Sequence, residues 1–268
     1  MFALMVVMAV PGAAAAEVGS PAASTLEVAP TKPSKNGHLR ISYRPSKAFK
    51  ELAETTKKGD AVGRLLPQLN RTFSLPRDVP VLFTDCNVIN AFFDKDRGEI
   101  TICYDFINYL ATLLREGYAK DSDADAALRD AVIFLFFHEV GHALVHVYDL
   151  DITGKEEDVA DQLATVILLD LDGGGAAAIH GGLALAMTAA GDRNVEDLPF
   201  WDEHSFGKQR FFSIACLVYG SDPVREMKEA ITKAGMPESR SERCPSEFRR
   251  IKKSSLKLLG PFLKAPAP

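Results

Sequence analysis

The stretch Ala131-Val132-Ile133-Phe134-Leu135-Phe136-Phe137-His138-Glu139-Val140-Gly141-His142 decides how the chain is read. Its first seven residues are apolar without a polar face, so a helix here is buried on all sides inside a domain core. The same helix then carries two histidines and a glutamate in its interior. Residues i and i+4 lie about 40° apart around a helix axis and one turn apart. The rings of His138 and His142 therefore face the same way, and both reach one cation. Glu139 lies beside that face, within reach of a water on the cation. This HExxH spacing is that of a zinc site with two imidazole ligands and a general base. With six His in 268 residues, chance yields the motif roughly once per hundred such chains. Context argues against chance, because three ionisable side chains in an apolar helix are expensive to bury unless a cation takes up their charge and lone pairs. Gly141 costs about 1 kcal/mol relative to Ala in a helix interior, which implies a close approach of backbone or ligand.

A catalytic zinc takes three protein ligands and keeps one position for water. Glu156-Glu157-Asp158-Val159-Ala160-Asp161 lies just downstream, in a helix expected over 155–170. Thr153 and Glu156 form a capping-box pattern, which gives Glu156 a structural role. Glu157 and Asp161 are spaced i, i+4 and share a face. Glu157 is the expected third ligand, with Asp161 and Asp158 in reserve. Asp161 is placed to hydrogen-bond the outer ring nitrogen of a ligand histidine and fix its tautomer. An acidic first turn favoured by the helix dipole is the plainer account of these carboxylates. His146 continues the i+4 series and is expected to pack or face solvent.

His138-Glu139-Val140-Gly141-His142 together with Glu157-Asp158-Val159-Ala160-Asp161 resembles the gluzincin clan of zinc metallopeptidases. Asn90-Ala91-Phe92 resembles the Asn-Ala-Phe segment of thermolysin-like edge strands, which bind substrate backbone. More closely, the chain resembles a family of bacterial exported proteins of unknown function that are classed as metallopeptidases. The matching stretches include Asn90-Ala91-Phe92-Phe93-Asp94, Ile102-Cys103-Tyr104, 137–162, Asp202-Glu203-His204-Ser205, Gln209-Arg210-Phe211, Cys216, Tyr219-Gly220-Ser221-Asp222-Pro223 and Arg243-Cys244-Pro245. They run through about residues 65–259. The resemblance implies a zincin-like fold, Zn2+ as cofactor, and a peptide or protein substrate. It further implies Glu157 as the completing ligand and Asn90 and Ala91 as substrate-binding residues.

The expected reaction is hydrolysis of a peptide bond. Zinc held by His138, His142 and Glu157 polarises the scissile carbonyl and acidifies a bound water. Glu139 takes the water's proton and delivers it to the leaving amine. His204 is the candidate for stabilising the oxyanion; a histidine beside a helix N-terminus is the alternative. Tyr148 is a weaker donor candidate, and Trp201 is expected to pack. The rival function is a non-catalytic, zinc-stabilised exported binding or inhibitory protein, against which the presence of Glu139 argues. Hydrolysis of another amide, such as a cell-wall peptide link, uses the same chemistry.

The remaining sequence sets the context. The chain has 31 Lys+Arg against 36 Asp+Glu, a net charge of −5, so it lacks the basic excess of a nucleic-acid binder. Its 47% hydrophobic and 25% charged residues exclude collagen, coiled coil and disorder as the main architecture. Residues 1–16 carry an uncharged apolar run, then Pro11-Gly12 and small residues, which reads as a signal peptide, though without a basic start. The expected location is periplasmic or secreted. The run is too short to span a bilayer, and no later segment is expected to span one. Residues 17–37 read as a flexible linker, 38–262 as a single domain and 263–268 as a disordered tail.

Four cysteines in an exported chain imply two disulfides. Three pairings are open, of which Cys86–Cys103 with Cys216–Cys244 is the local solution; four buried thiols are the alternative. Strands are expected at 79–84, 87–93 and 99–104, the last two forming a hairpin. Helices are expected at 46–58, 62–73, 105–116, from 121 through the metal motif, and at 155–170, 176–190, 202–219 and 246–259, with a Ser122–Asp125 capping box opening the motif helix. The fold class is α+β, a small antiparallel sheet forming one wall against a mostly helical core.

Overall fold

Strand β2 (Val79–Thr84) alternates buried and half-buried residues, while β4 (Glu99–Cys103) is buried on both faces. These two form the centre of a four-stranded sheet of order β1-β2-β4-β3, completed by β1 (Leu39–Tyr43) and β3 (Ala91–Asp94). The computed structural model describes residues 37–188 and 201–264. The expected signal peptide, the linker up to residue 36, the last residues of the 176–190 helix and the final four residues of the tail lie outside them.

The α+β class holds, but the sheet is mixed rather than antiparallel. β1 pairs with β2, and β2 with β4, in parallel; only the β3–β4 hairpin is antiparallel. The parallel β1–β2 pair is reached through helices α1 (Lys50–Gly59) and α2 (Leu66–Thr72), the kind of crossover that parallel neighbours require. β1 was not among the expected strands. The strand expected over 87–93 begins only at Ala91. Asn87 has a left-handed φ of 60°, and the Ala91 N–H donates to Asn90 Oδ1 at 3.0 Å, so 86–90 is a loop. β3 is an edge strand.

After β4 the chain enters α3 (Tyr104–Gly117) and then α4 (Asp121–Val147), the helix that carries the metal motif. α4 is long and apolar enough to cross a membrane, which corrects the expectation that no later segment is; 78% of its apolar window is buried inside the protein. Phe134, Phe136 and Phe137 are fully buried. α4 packs against α3, α5 (Glu156–Leu168) and α6 (Gly174–Thr188), and it touches β3 and β4. From Ala131 to Val145 it is therefore a core helix buried on nearly all sides, as its apolar run requires, while 121–130 keeps an exposed face. The helices α7 (Gly207–Ser221), α8 (Arg225–Lys233), α9 (Glu238–Ser241) and α10 (Cys244–Leu259) complete the chain. α8 and α9 were not expected. α8 buries only Ile231, so its apolar pattern is thin.

Neither capping box forms. α4 begins after Lys120 and α5 after Lys155, both without a side-chain cap. Residues 202–206, expected to be helical, precede α7 instead. Lys155 Nζ donates to the Asp202 carbonyl at 3.1 Å, and Ser205 Oγ donates to Asp158 Oδ1 at 2.8 Å. These bonds hold the segment on the first turn of α5. Both local disulfides are present, Cys86–Cys103 and Cys216–Cys244, and no cysteine is free.

Gly141 accounts for how close the two site helices come. A Cβ at this position would stand 2.9 Å from Ala160 Cα and 3.0 Å from the Ala160 carbonyl oxygen, so the glycine lets the α4 backbone rest on the α5 backbone. Gly141→Val would force the helices apart. Overpacking of this kind costs about 2–3 kcal/mol, which in a domain of this size lowers the thermal midpoint by about 5–10 °C. Calorimetry on the variant checks this.

Candidate metal centre

α4 presents His138 and His142 on one face, and α5, brought close by Gly141, presents Glu157 opposite them. His138 Nε2 and His142 Nε2 are 3.2 Å apart. Glu157 Oε2 lies 3.2 Å from His138 Nε2, and Oε1 lies 3.3 Å from His142 Nε2. A four-coordinate ion with bonds of about 2.0–2.1 Å sets its ligand atoms about 3.3–3.4 Å apart. The three residues thus already stand at the spacing of one tetrahedral face, and as a group they are able to hold a metal ion. Glu157 Oε2 is buried and accepts no hydrogen bond from the described residues, although His138 Nε2 and His204 Nε2 are each 3.2 Å away. A buried carboxylate oxygen with free lone pairs fits a cation.

Both rings are held from behind. Asp161 Oδ1 is 2.9 Å from His138 Nδ1, and Glu156 Oε1 is 2.7 Å from His142 Nδ1. A carboxylate at Nδ1 keeps the proton there and leaves the Nε2 lone pair facing inward. Electrostatics draws positive charge into the site. Burial opposes protonation of His138, yet Asp161 and Glu157 beside it hold its pKa at about 9. Burial likewise works to raise the Glu157 carboxyl, but His138, His142 and His204 bring it far below the usual carboxylate range. A cation arriving at His138 Nε2 takes the place of a proton. Burial raises the pKa of Glu139, with His138 and His142 pulling the other way; its side chain is 4% exposed.

Asp161 is itself gripped by Arg210 of α7, whose Nε and Nη2 donate to the two carboxylate oxygens at 2.7 and 2.8 Å. Burial would raise the Asp161 carboxyl, but Arg210 and His138 together hold it below its ordinary value. Their side chains are 7% and 8% exposed, so removing one partner leaves a buried charge. Arg210→Met is expected to cost about 3–5 kcal/mol, read as a fall in the denaturation midpoint. Asp161→Leu added to it should recover part of the loss.

Of the other expected residues, His204 lies at the site and Asn90 and Ala91 at the start of its neighbouring edge strand. His204 Nε2 faces Glu157 Oε2, while its Nδ1 is 3.0 Å from Asp202 Oδ1; the side chain is 46% exposed. Glu157, Glu203 and His204 form a second set of neighbouring ligand atoms. Asn90 is exposed and Ala91 buried. Asp158 bonds Ser205 rather than the ligand group. His146 is exposed with its ring 5.6 Å from Phe93. Tyr148 is buried against Phe262, stacked at 3.9 Å, which removes it as a donor candidate. Trp201 is 84% exposed rather than packed.

Three site residues escaped the sequence reading: Glu156, Lys95 and Arg210. Glu156 looked like a cap, and Lys95 like a turn residue. Arg210 lies 72 residues from His138; its only signal was membership of the stretch Gln209-Arg210-Phe211.

The two imidazoles, the facing carboxylate and the buried glutamate beside them have the composition of a metallopeptidase centre. Residues 43–259 match the protein family described as "Putative metallopeptidase", and the chain belongs to that family. No curated protein and no solved structure matches the chain significantly.

Proposed function

We propose that the protein is an exported, zinc-dependent peptidase of the gluzincin type, with His138, His142 and Glu157 as the zinc ligands. The observation that carries this reading is the triangle of ligand atoms at 3.2–3.3 Å, set on two helices that touch at Gly141. Two nitrogens and one carboxylate oxygen are a donor set suited to zinc. A bound zinc ion would supply Lewis acidity toward the scissile carbonyl and the attacking water.

The chain's own residues do the rest. Glu139 accepts the proton of the attacking water and passes it to the leaving nitrogen, a task served by its raised pKa. His204 is oriented by Asp202 through Nδ1, which directs Nε2 into the site as a donor to the developing oxyanion. Edge strand β3 contacts α4, and among the described residues no strand pairs with its outer edge, onto which an extended peptide can add. Asn90, at its start, offers its side-chain amide to the substrate backbone. Two disulfides in the described residues favour an oxidising compartment, which agrees with an N-terminal signal peptide.

The test is cleavage of a diverse peptide library by purified protein. The expected result is hydrolysis that stops with a chelator and returns with added zinc. Stoichiometric metal without chelator-sensitive cleavage would instead favour a zinc-stabilised binding protein.

A further inference from the structure

We propose that Glu156 and Lys95 form a relay that fixes His142 from the β3–β4 hairpin, making both of them positioning residues for the metal. The inference rests on the zinc-site reading above and concerns residues to which that reading gives no part.

The two ligand histidines are supported differently. Behind His138 stand Asp161 and Arg210, both buried, from the body of α5 and from α7. Behind His142 stands Glu156, the first residue of α5, at 2.7 Å from Nδ1. Its other oxygen, Oε2, accepts from Lys95 Nζ at 3.3 Å. Lys95 follows β3 directly in the hairpin turn, and that turn is itself well fixed. Asp94 Oδ1 accepts from the backbone N–H groups of Asp96 and Arg97, both at 3.0 Å, and Gly98 N donates to the Asp94 carbonyl at 2.7 Å. Lys95 is thus anchored in the sheet, 61 residues from Glu156 in sequence. Phe93 of β3 rests near the His146 ring, one helical turn beyond His142. A line of contacts therefore runs from the edge strand through Lys95 and Glu156 to a ligand ring.

A carboxylate that orients a ligand imidazole must hold its own orientation. Asp161 has this from a bidentate guanidinium. Glu156 is 28% exposed and, among the described residues, has it only from Lys95. Without Lys95 the carboxylate is free to turn toward solvent, and His142 loses its fixed tautomer. A purely through-space effect has the opposite sign, because removing a positive charge near a cation site tightens cation binding. A helix-dipole role for Glu156 predicts changed helix stability with no change at His142.

The experiment measures the zinc dissociation constant by chelator competition on the full chain. Glu156→Gln keeps the shape and removes the charge; it is expected to weaken binding about 10-fold, and Glu156→Ala up to about 100-fold. Lys95→Met should weaken binding about two- to fivefold with Glu156 present and leave it unchanged in the Glu156→Gln background. The imidazole Nδ1–H resonance of His142 in the zinc-loaded protein should be protected in wild type and exchange rapidly in Glu156→Ala. His142→Ala serves as the control. If it binds zinc like wild type, the metal-site reading fails and the relay with it. If His142→Ala loses zinc but Glu156→Ala does not, the relay alone is overturned. Tighter binding by Lys95→Met, or an equal Lys95→Met effect in both backgrounds, also overturns it.

Discussion

Glu139→Gln is expected to keep zinc at wild-type stoichiometry and to lower kcat for peptide cleavage by about 10²–10⁴-fold. The argument starts from where the side chain sits. Glu139 is on α4 between the two histidines, buried, and outside the triangle formed by their Nε2 atoms and Glu157. It is therefore not among the proposed ligands. Burial keeps its pKa above the ordinary glutamate value, against the pull of His138 and His142, which brings it nearer to the pH at which a base both accepts and returns a proton. Gln has the same shape and lacks only that capacity. Metal analysis and steady-state kinetics on the same preparation check the prediction. A zinc-loaded variant that cleaves at the wild-type rate would remove Glu139 from the chemistry.

Glu157→Ala is expected to act on the ion itself. It removes one of the three proposed protein ligands and should weaken zinc binding about 10²–10³-fold, one ligand's portion of a total of ~10–16 kcal/mol. The metal-free protein should also lose stability, and the pH dependence has a definite sign. The Glu157 carboxyl is held far below its ordinary value of 4.5 by His138, His142 and His204, against the effect of burial. Its contribution is therefore present above that ordinary value and lost as the solution becomes strongly acidic. His138 is opposed by burial but raised by Asp161 and Glu157 from 6.5 to about 9. Its contribution is full below 6.5 and disappears as the pH rises through about 9. The stability difference between wild type and Glu157→Ala, measured by denaturation with chelator present, should thus be greatest between the two ordinary values of 4.5 and 6.5. It should shrink on both sides of that window. A difference that does not change with pH would mean that the carboxylate and the imidazoles are not paired in the absence of metal.

What could be read from the sequence was whatever lay close together along it. The apolar run before His138 required a buried helix, and the i, i+4 spacing put both rings on one face. Glu157 and Asp161 followed by the same spacing on the next helix. Gly141 was legible as a close approach, although only the structure shows that Ala160 is what approaches. The reading failed where the partner is remote or where a local motif offered a decoy. Glu156 satisfies a capping-box pattern with Thr153, yet α5 starts two residues too late for that box and the side chain turns to His142. Arg210 and Lys95 act across separations that no spacing rule covers. The hairpin between β3 and β4 is a local signal, and it alone predicts an antiparallel sheet. The parallel pairing of β1 with β2 depends on a crossover through two helices and has none.

The central claim is that His138, His142 and Glu157 bind one ion and leave a coordination position open. X-ray absorption at the zinc edge, combined with anomalous diffraction from crystals of the zinc-loaded protein, measures it most directly. The account predicts one ion contacted by two imidazole nitrogens and one carboxylate from the protein, with the remaining position held by solvent. A fourth protein ligand on the ion, or an ion seated away from these three side chains, would contradict it.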